Sequence, residues 1–74
     1  MKKYGNTSGN SGILAYEIQA DRILIKFSSG DTYVYSYKKP GKADVEEMKA
    51  LAESGEGLAT YINQHVRERY DYKL

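Results

Sequence analysis

The segment "RILIKFSSGDTYVYSY", Arg22 to Tyr37, decides the fold because it contains two alternating apolar runs on either side of a short turn. In the first run every second residue from Ile23 to Phe27 is apolar, and in the second every second residue from Tyr33 to Tyr37 is a tyrosine. A period of two is typical of a β-strand with one buried face. The "SSG" turn between the runs therefore predicts an antiparallel hairpin.

The length of that turn decides which face carries the tyrosines. A two-residue loop would pair Ile25 with Val34 and separate the tyrosines from the isoleucines, whereas a three-residue loop, Ser28–Gly30, pairs Ile25 with Tyr33. A final glycine suits the three-residue form, which is a type I turn followed by a left-handed residue. We therefore predict that Tyr33 and Tyr35 are core residues and not a bare stacking platform. The opposite face is predicted to be a mixed, solvated surface that carries Arg22, Leu24, Lys26, Thr32, Val34 and Ser36.

The flanking sequence predicts one more strand and two helices. "ILAYEI" precedes the hairpin, with Leu14, Tyr16 and Ile18 at alternate positions. After Pro40, "ADVEEMKALAES" has helical spacing, and Ser54–Gly57 interrupts it before a second helical pattern. The prediction is an α+β fold: a three-stranded antiparallel meander followed by two helices packed on one face (β-β-β-α-α).

The two predicted helices have identifiable ends and buried stripes. Asp44 is the expected N-cap of the first helix, with Glu47 as its reciprocal partner. The apolar stripe of this helix consists of Val45, Met48 and Leu51 or Ala52. The second helix is expected over residues 58–70, with a shared face of Leu58, Tyr61, Ile62, His65, Val66 and Tyr70.

Length and composition limit what the protein can be. A chain of 74 residues makes one domain, predicted over residues 11–74, after a Gly-, Asn-, Ser- and Lys-rich stretch, residues 1–10, that is expected to be a flexible tail. Without cysteine there are no disulfides or thiolate sites. No apolar run suits a signal peptide or a membrane span, which favours a cytoplasmic protein with no membrane partner.

The chain offers little material for catalysis. Its one histidine, His65, has Tyr61 and Arg69 at four-residue spacing, and neither completes a metal site or a catalytic pair with it. No serine lies in a nucleophile-elbow pattern, and "SGEG" lacks the Lys-Ser/Thr ending of a phosphate loop. The acidic residues around the first helix are those of a solvated helix face. The expectation is a protein that is not an enzyme and that uses no metal or other cofactor.

Basic and aromatic residues alternate in two places and suggest RNA as a partner. The net charge of +1 gives little general attraction to phosphate, so nucleic-acid binding requires a local patch. Cations combined with exposed aromatic rings are typical of single-stranded RNA binding. The alternative is a set of solvated charges paired with neighbouring acids. The candidate RNA-binding residues are Arg67, Arg69, Lys38, Lys39 and Lys42 for phosphates, with Tyr37 and Tyr72 for stacking.

Several short motifs, in this order and spacing, resemble the KTSC domain, a small bacterial domain related to the C-terminal part of some lysyl-tRNA synthetases. The central Tyr33-Val34-Tyr35 resembles that family's Tyr-x-Tyr motif. The loop around Pro40 is longer and more basic than is usual in the family, and Ile62 stands where phenylalanine is usual. The other matching positions are Ser11, Ile13, Tyr16, Ile23, Ile25, Phe27, Gly30, Ser54, Gly57, Tyr61, Asn63, Val66, Arg67, Tyr70 and Tyr72.

The resemblance implies a binding role whose partner in the family is unestablished and has been conjectured to be RNA. Together with the residues, it predicts a small non-catalytic binding module that takes RNA as its partner. The alternative is a protein-interaction or accessory module that docks through an edge strand or through the outer sheet face, where Leu24 and Val34 would lie.

Overall fold

The computed structural model describes residues 1–5 and 12–74. The protein forms a five-stranded antiparallel sheet with its helical residues on one face. The strands follow one another in chain order across the sheet. Their bounds are β1 (Lys2–Lys3), β2 (Ile13–Gln19), β3 (Arg22–Phe27), β4 (Thr32–Ser36) and β5 (Tyr72–Lys73), and the helices are α1 (Lys42–Ser54) and α2 (Leu58–Tyr61), which continues into a π-helical turn, Ile62–Val66.

The α+β class agrees with the prediction, but the sheet has two strands more than the predicted three. β1 pairs with β2, and β5 pairs with β4, so both additional strands lie at the edges of the sheet. Each has only two residues, too few for alternation to be visible in the sequence. Among the described residues no helix has the length and apolar composition that crossing a bilayer requires.

The hairpin of β3 and β4 has the predicted register. Ile25 pairs with Tyr33 and Ile23 pairs with Tyr35, so the isoleucines and the tyrosines share one face. Gly30 has a φ of 99° and donates its N–H to the carbonyl of Phe27, which closes the three-residue loop. Because a residue with a side chain rarely adopts that φ, the glycine sets the register of the sheet.

Strand β2 departs from its predicted alternation. Of the three residues predicted at alternate positions, Tyr16 is buried, Leu14 is 48% exposed, and Ile18, near the end of the strand, is 38% exposed. Ile13 is buried in place of Leu14. The cause is an irregularity in the pairing of β2 with β3 between Ile13 and Ala15, which changes the direction of successive side chains. Leu14 is therefore not a core residue.

The predicted flexible tail differs from the structure at its beginning. Lys2 and Lys3 form β1, and Tyr4 is 2% exposed and belongs to the core. The Tyr4 ring meets the Tyr16 ring edge to face at 6.4 Å, and its backbone N–H donates to the carbonyl of Leu14. Residues 6–10 of the predicted tail, and Ser11 of the family pattern, lie outside the described residues.

Helix α1 buries the predicted stripe but begins differently. Val45, Met48 and Ala52 are its buried residues, and Gly55 follows it in a left-handed conformation. The residue before the helix is Gly41, and no side chain caps the first turn. Asp44 lies inside the first turn, where its carboxylate accepts a hydrogen bond of 2.6 Å from the Tyr61 hydroxyl.

The second helical segment ends earlier than predicted. Regular α-helix stops at Tyr61, and the π-helical turn ends at Val66. Residues 67–71, which we call the return segment, then lead back to the sheet, where β5 begins at Tyr72. Leu58, Ile62 and Val66 are buried as the helical pattern predicts, and His65 is exposed.

The outer sheet face is less solvated than predicted because the chain returns to it. Val34 is fully buried and Ser36 is 3% exposed. Strand β5 pairs Tyr72 with Val34, and the Asp71 carboxylate accepts a hydrogen bond from the Ser36 hydroxyl. The return of the C-terminal residues to β4 thus removes both side chains from the predicted mixed surface.

Candidate nucleic-acid interface

Four of the predicted phosphate-binding cations surround the loop between β4 and α1. Lys38 and Lys39 lie in this loop, and Lys42 is the first residue of α1. Arg69 joins them from the return segment, since its guanidinium donates to the carbonyl of Pro40 at 3.3 Å. All four side chains are exposed. We call Lys38, Lys39, Lys42 and Arg69 the basic loop surface.

Ser36 holds this loop in shape from below. Its hydroxyl oxygen accepts hydrogen bonds of 3.2 Å from the backbone N–H groups of Lys38 and Lys39. The same hydroxyl donates to the Asp71 carboxylate at 2.8 Å. The backbone of Ser36 also bonds to Lys39 and to Gly41. One buried serine therefore ties the lysine-bearing loop to the return segment that carries Arg69.

The cations of the basic loop surface are not paired with acids in the described part of the chain. The ion pairs formed there are Arg22–Asp21, Lys49–Glu46 and Lys73–Asp31. None of them includes a member of the basic loop surface. The alternative interpretation, in which these cations form ion pairs with neighbouring acids, is therefore not favoured. Lys42 is nevertheless near enough to Glu46 to help lower the pKa of that carboxyl, whereas the charges of Lys38, Lys39 and Arg69 are available to an anionic partner.

Tyr37, a predicted stacking residue, is committed to contacts within the protein. The ammonium groups of Lys42 and Lys49 lie 5.8 and 5.4 Å from its ring centre. Its hydroxyl donates to Glu46 at 2.6 Å. This hydrogen bond is the main cause that raises the pKa of Tyr37, and it is also the main cause that lowers the pKa of Glu46. Its ring helps to position Lys42 and is not an open platform for a base.

The other predicted site residues lie on two further surfaces. Tyr72 lies on the outer sheet face, 42% exposed, and its hydroxyl accepts a hydrogen bond of 3.3 Å from Arg22. Arg67 begins the return segment on the helical side of the sheet. The structure thus groups the three lysines with Arg69 and separates them from Tyr72.

A cavity of about 270 Å³ lies between the inner sheet face and the π-helical turn. Sequence reasoning did not predict it. Phe27, Tyr33 and Tyr35 line it from the sheet, and Tyr70 lines it from the return segment. The Tyr70 ring stacks on Tyr33 with centroids 4.6 Å apart and meets Tyr35 edge to face at 6.4 Å. The walls are therefore mainly aromatic.

The rim of the cavity is polar. Asn63 and Ile62 line it from the π-helical turn, and Arg67 and Glu68 line it from the return segment. Ile62 is buried, whereas the three polar side chains are exposed. In the π-helical turn the N–H of Arg67 donates to the carbonyl of Ile62, five residues back. Single π-helical turns occur frequently at functional sites, and this one brings Asn63 and Arg67 to one opening.

Tyr35 is the most deeply buried residue of the cavity wall, and its hydroxyl forms no hydrogen bond with the described residues. Burial raises the pKa of this hydroxyl far above its ordinary value, so it stays neutral. A buried donor without a partner costs about 1–3 kcal/mol. The hydroxyl therefore weakens the fold at a position where phenylalanine would fill the same space.

The change Tyr35→Phe should accordingly raise the free energy of unfolding by about 1 kcal/mol, because it removes an unsatisfied polar group and keeps the ring. Urea denaturation followed by circular dichroism measures the difference. The matched control is Tyr61→Phe, which removes a hydroxyl bonded to Asp44 and should lower stability by about 1 kcal/mol. Equal losses in both variants would show that the Tyr35 hydroxyl has a partner.

His65 is exposed and lies beside an aromatic ring of the preceding helical turn. The imidazole packs against the Tyr61 ring with centroids 4.5 Å apart. The pKa of the Tyr61 hydroxyl is raised to about 12, mainly by burial and secondly by its hydrogen bond to Asp44. Within residues 1–5 and 12–74 no three histidine, aspartate or glutamate side chains are grouped so that they could hold a metal ion.

Comparison with known proteins finds no matching family model, no matching curated protein and no matching solved structure. The resemblance to the KTSC domain therefore stays a hypothesis that rests on the motifs.

Proposed function

We propose that the protein is a small non-catalytic binding module for single-stranded RNA, in which the basic loop surface holds the phosphates. The observation that carries the proposal is the grouping of Lys38, Lys39, Lys42 and Arg69 around one loop without ion pairs to described acids. Phosphate attraction supplies most of the affinity when nucleic acid is bound without regard to sequence. The KTSC resemblance, with its link to a tRNA synthetase, favours RNA.

The alternative, a protein-docking module, has less support. It requires exposed apolar side chains on the outer sheet face, where Val34 is fully buried and Tyr72, which is 42% exposed, bonds through its hydroxyl to Arg22. Leu24 is the other apolar residue proposed for that contact, and it is half-buried. The edge strands β1 and β5 have two residues each, which gives a partner strand little backbone to pair with.

Two charge variants with equal net charge test the RNA proposal. The probe is a short fluorescein-labelled oligouridylate, and binding is measured by fluorescence anisotropy at several salt concentrations. The loop variant is Lys38→Gln, Lys39→Gln, Lys42→Gln, and the control variant, made at exposed lysines elsewhere on the surface, is Lys2→Gln, Lys3→Gln, Lys26→Gln. The loop variant should bind about tenfold more weakly at low salt. The magnitude of its slope of log affinity against log salt should fall by about 2, because three lost phosphate contacts contribute ~0.7 each for single strands.

The control variant separates a local site from general charge. If both variants lose affinity equally, the attraction comes from net charge and the basic loop surface is not the site. If the unchanged protein does not bind the probe even at low salt, and an oligoadenylate gives the same result, the proposed function is wrong.

A further inference from the structure

We propose that the cavity between the sheet and the π-helical turn is a subsite for a single nucleobase, an inference that rests on the proposed RNA-binding function. The base would lie among the aromatic side chains, with its polar edge toward Asn63, Arg67 and Glu68. Its strand would pass over the basic loop surface. The cavity volume, the chemistry of the lining and the connection to the basic loop surface support this assignment.

The volume selects one ring system. Small-molecule pockets usually have ~300–1,000 Å³, and this cavity, at about 270 Å³, lies just below that range. One base fits such a space, and because the cavity is open to solvent the rest of a strand can lie outside it. Tyr33, Tyr70 and Phe27 are half-buried. Because Tyr33 already stacks on Tyr70 and the Lys73 ammonium lies 5.7 Å from its ring centre, an incoming ring would pack against the exposed parts of this aromatic wall. Stacking of a base on aromatic side chains contributes substantially to single-strand binding and tolerates any base.

The rim carries both hydrogen-bond donors and acceptors and has no net charge. The Arg67 guanidinium only donates, the Glu68 carboxylate only accepts, and the Asn63 amide does both. A neutral ring with donors and acceptors along one edge complements this set, as the edge of a nucleobase does. A free phosphate or a carboxylate would gain no net attraction from a rim without net charge and would make no use of the aromatic walls.

The cavity and the basic loop surface are connected by consecutive residues. Arg67 lines the cavity, and Arg69 donates to the carbonyl of Pro40 in the loop. Two residues span at most about 7 Å of chain. The cavity rim and the contact to the loop thus belong to one short segment, and the proposal places the phosphates on the loop and one base in the cavity.

The first experiment compares strands with and without a base. Two fluorescein-labelled oligonucleotides of equal length are used, an oligouridylate and a strand with the same sugar-phosphate backbone in which every residue is abasic, so that no neighbouring base can enter the cavity by a shift of register. The base-bearing strand should bind the unchanged protein at least fivefold more tightly. Both strands should show the same salt slope, because their phosphates are identical. Equal affinities, with RNA binding intact, would overturn the subsite and leave the proposed function standing.

The second experiment uses two neighbouring amides of the π-helical turn. Asn63 and Gln64 are both exposed, but Asn63 lines the cavity and Gln64 does not. The change Asn63→Ala should weaken binding of the base-bearing strand about threefold to tenfold without altering the salt slope or the binding of the abasic strand. The control Gln64→Ala should change neither. Identical behaviour of the two variants would contradict the proposal.

Free nucleosides separate failure of the subsite from failure of the proposed function. Adenosine, guanosine, cytidine and uridine carry no phosphate, so they test the cavity alone. In an NMR titration at millimolar concentration, at least one should shift the signals of Asn63, Tyr33 and Tyr70 in the unchanged protein. Such shifts would support the subsite even if the oligonucleotides did not bind the basic loop surface. The absence of any shift with all four nucleosides would overturn it.

Discussion

Replacing Tyr4 with alanine should remove about 3–5 kcal/mol from the free energy of unfolding, because it deletes a buried aromatic ring and leaves a cavity. The ring is 2% exposed and contacts Tyr16. Its hydroxyl oxygen also accepts a hydrogen bond of 3.3 Å from the backbone N–H of Leu58. This N–H belongs to the first residue of α2, where a helix leaves its donors without internal partners. Tyr4 therefore fills the core and caps a distant helix.

A single core in a domain of this size rarely supplies more than about 3–5 kcal/mol, so Tyr4→Ala should be largely unfolded at room temperature. Thermal and urea denaturation followed by circular dichroism measure the loss. Two variants define its origin. Tyr4→Phe keeps the ring and should lose about 1 kcal/mol, and Lys3→Ala, at an exposed neighbour in β1, should change stability by less than about 0.5 kcal/mol. A Tyr4→Ala protein as stable as the unchanged chain would mean that the N-terminal residues are a tail after all.

The change Ser36→Ala should cost about 2–3 kcal/mol, although it removes a single oxygen atom. That oxygen accepts from the N–H groups of Lys38 and Lys39, and its hydrogen is donated to Asp71. Losing it leaves two backbone donors and one carboxylate without this partner at a position that is 3% exposed. Unsatisfied buried groups cost about 1–3 kcal/mol each, and partial contact with water reduces the sum.

The loop should loosen together with the loss of stability. Amide hydrogen exchange should become faster at Lys38 and Lys39 than elsewhere in the sheet, and affinity for the RNA probe should fall. The control is Ser29→Ala, since the Ser29 hydroxyl is exposed and makes one long contact of 3.5 Å to Asp31. It should change stability by less than about 0.5 kcal/mol. A neutral Ser36→Ala would show that the loop is held by its backbone hydrogen bonds alone.

The central hairpin and the first helix could be predicted because the information for them is local. The glycine at the end of "SSG" fixes the three-residue loop, and that loop fixes which residues of β3 and β4 share a face. The spacing of Val45, Met48 and Ala52 places the buried side of α1. In both cases residues within one turn or one strand determine the outcome, so the pattern is sufficient.

The edges of the sheet could not be predicted because they depend on residues far apart in the chain. "MKKYG" has one residue, Tyr4, that signals burial, among neighbours typical of a tail. Val34 looks solvated by alternation, and only the return of residues 71–73 to β4 buries it. In the same way, Asp44 suits an N-cap by position, but its hydroxyl partner comes from Tyr61 in another helix.

The candidate site was predicted in part. The lysines of the Pro40 loop are evident as charge, but the sequence does not reveal that Arg69 reaches that loop. The aromatic cavity depends on where the second helical segment stops. The spacing of apolar residues predicts a helix to Tyr70, whereas the π-helical turn ends it at Val66 and lets Tyr70 fold back over Tyr33. No glycine or proline marks that change in the sequence.

The shortness of the two outermost strands has a consequence for solution behaviour. β1 protects the edge of the seven-residue strand β2, and β5 protects the edge of β4. Lys2, Lys3 and Lys73 lie in these outer strands and add positive charge at the sheet edges, where a second molecule would pair. A substitution that releases either outer strand exposes the unpaired N–H and C=O groups of a longer strand with more apolar side chains. Variants with a detached outer strand should therefore self-associate into fibrillar aggregates in addition to unfolding.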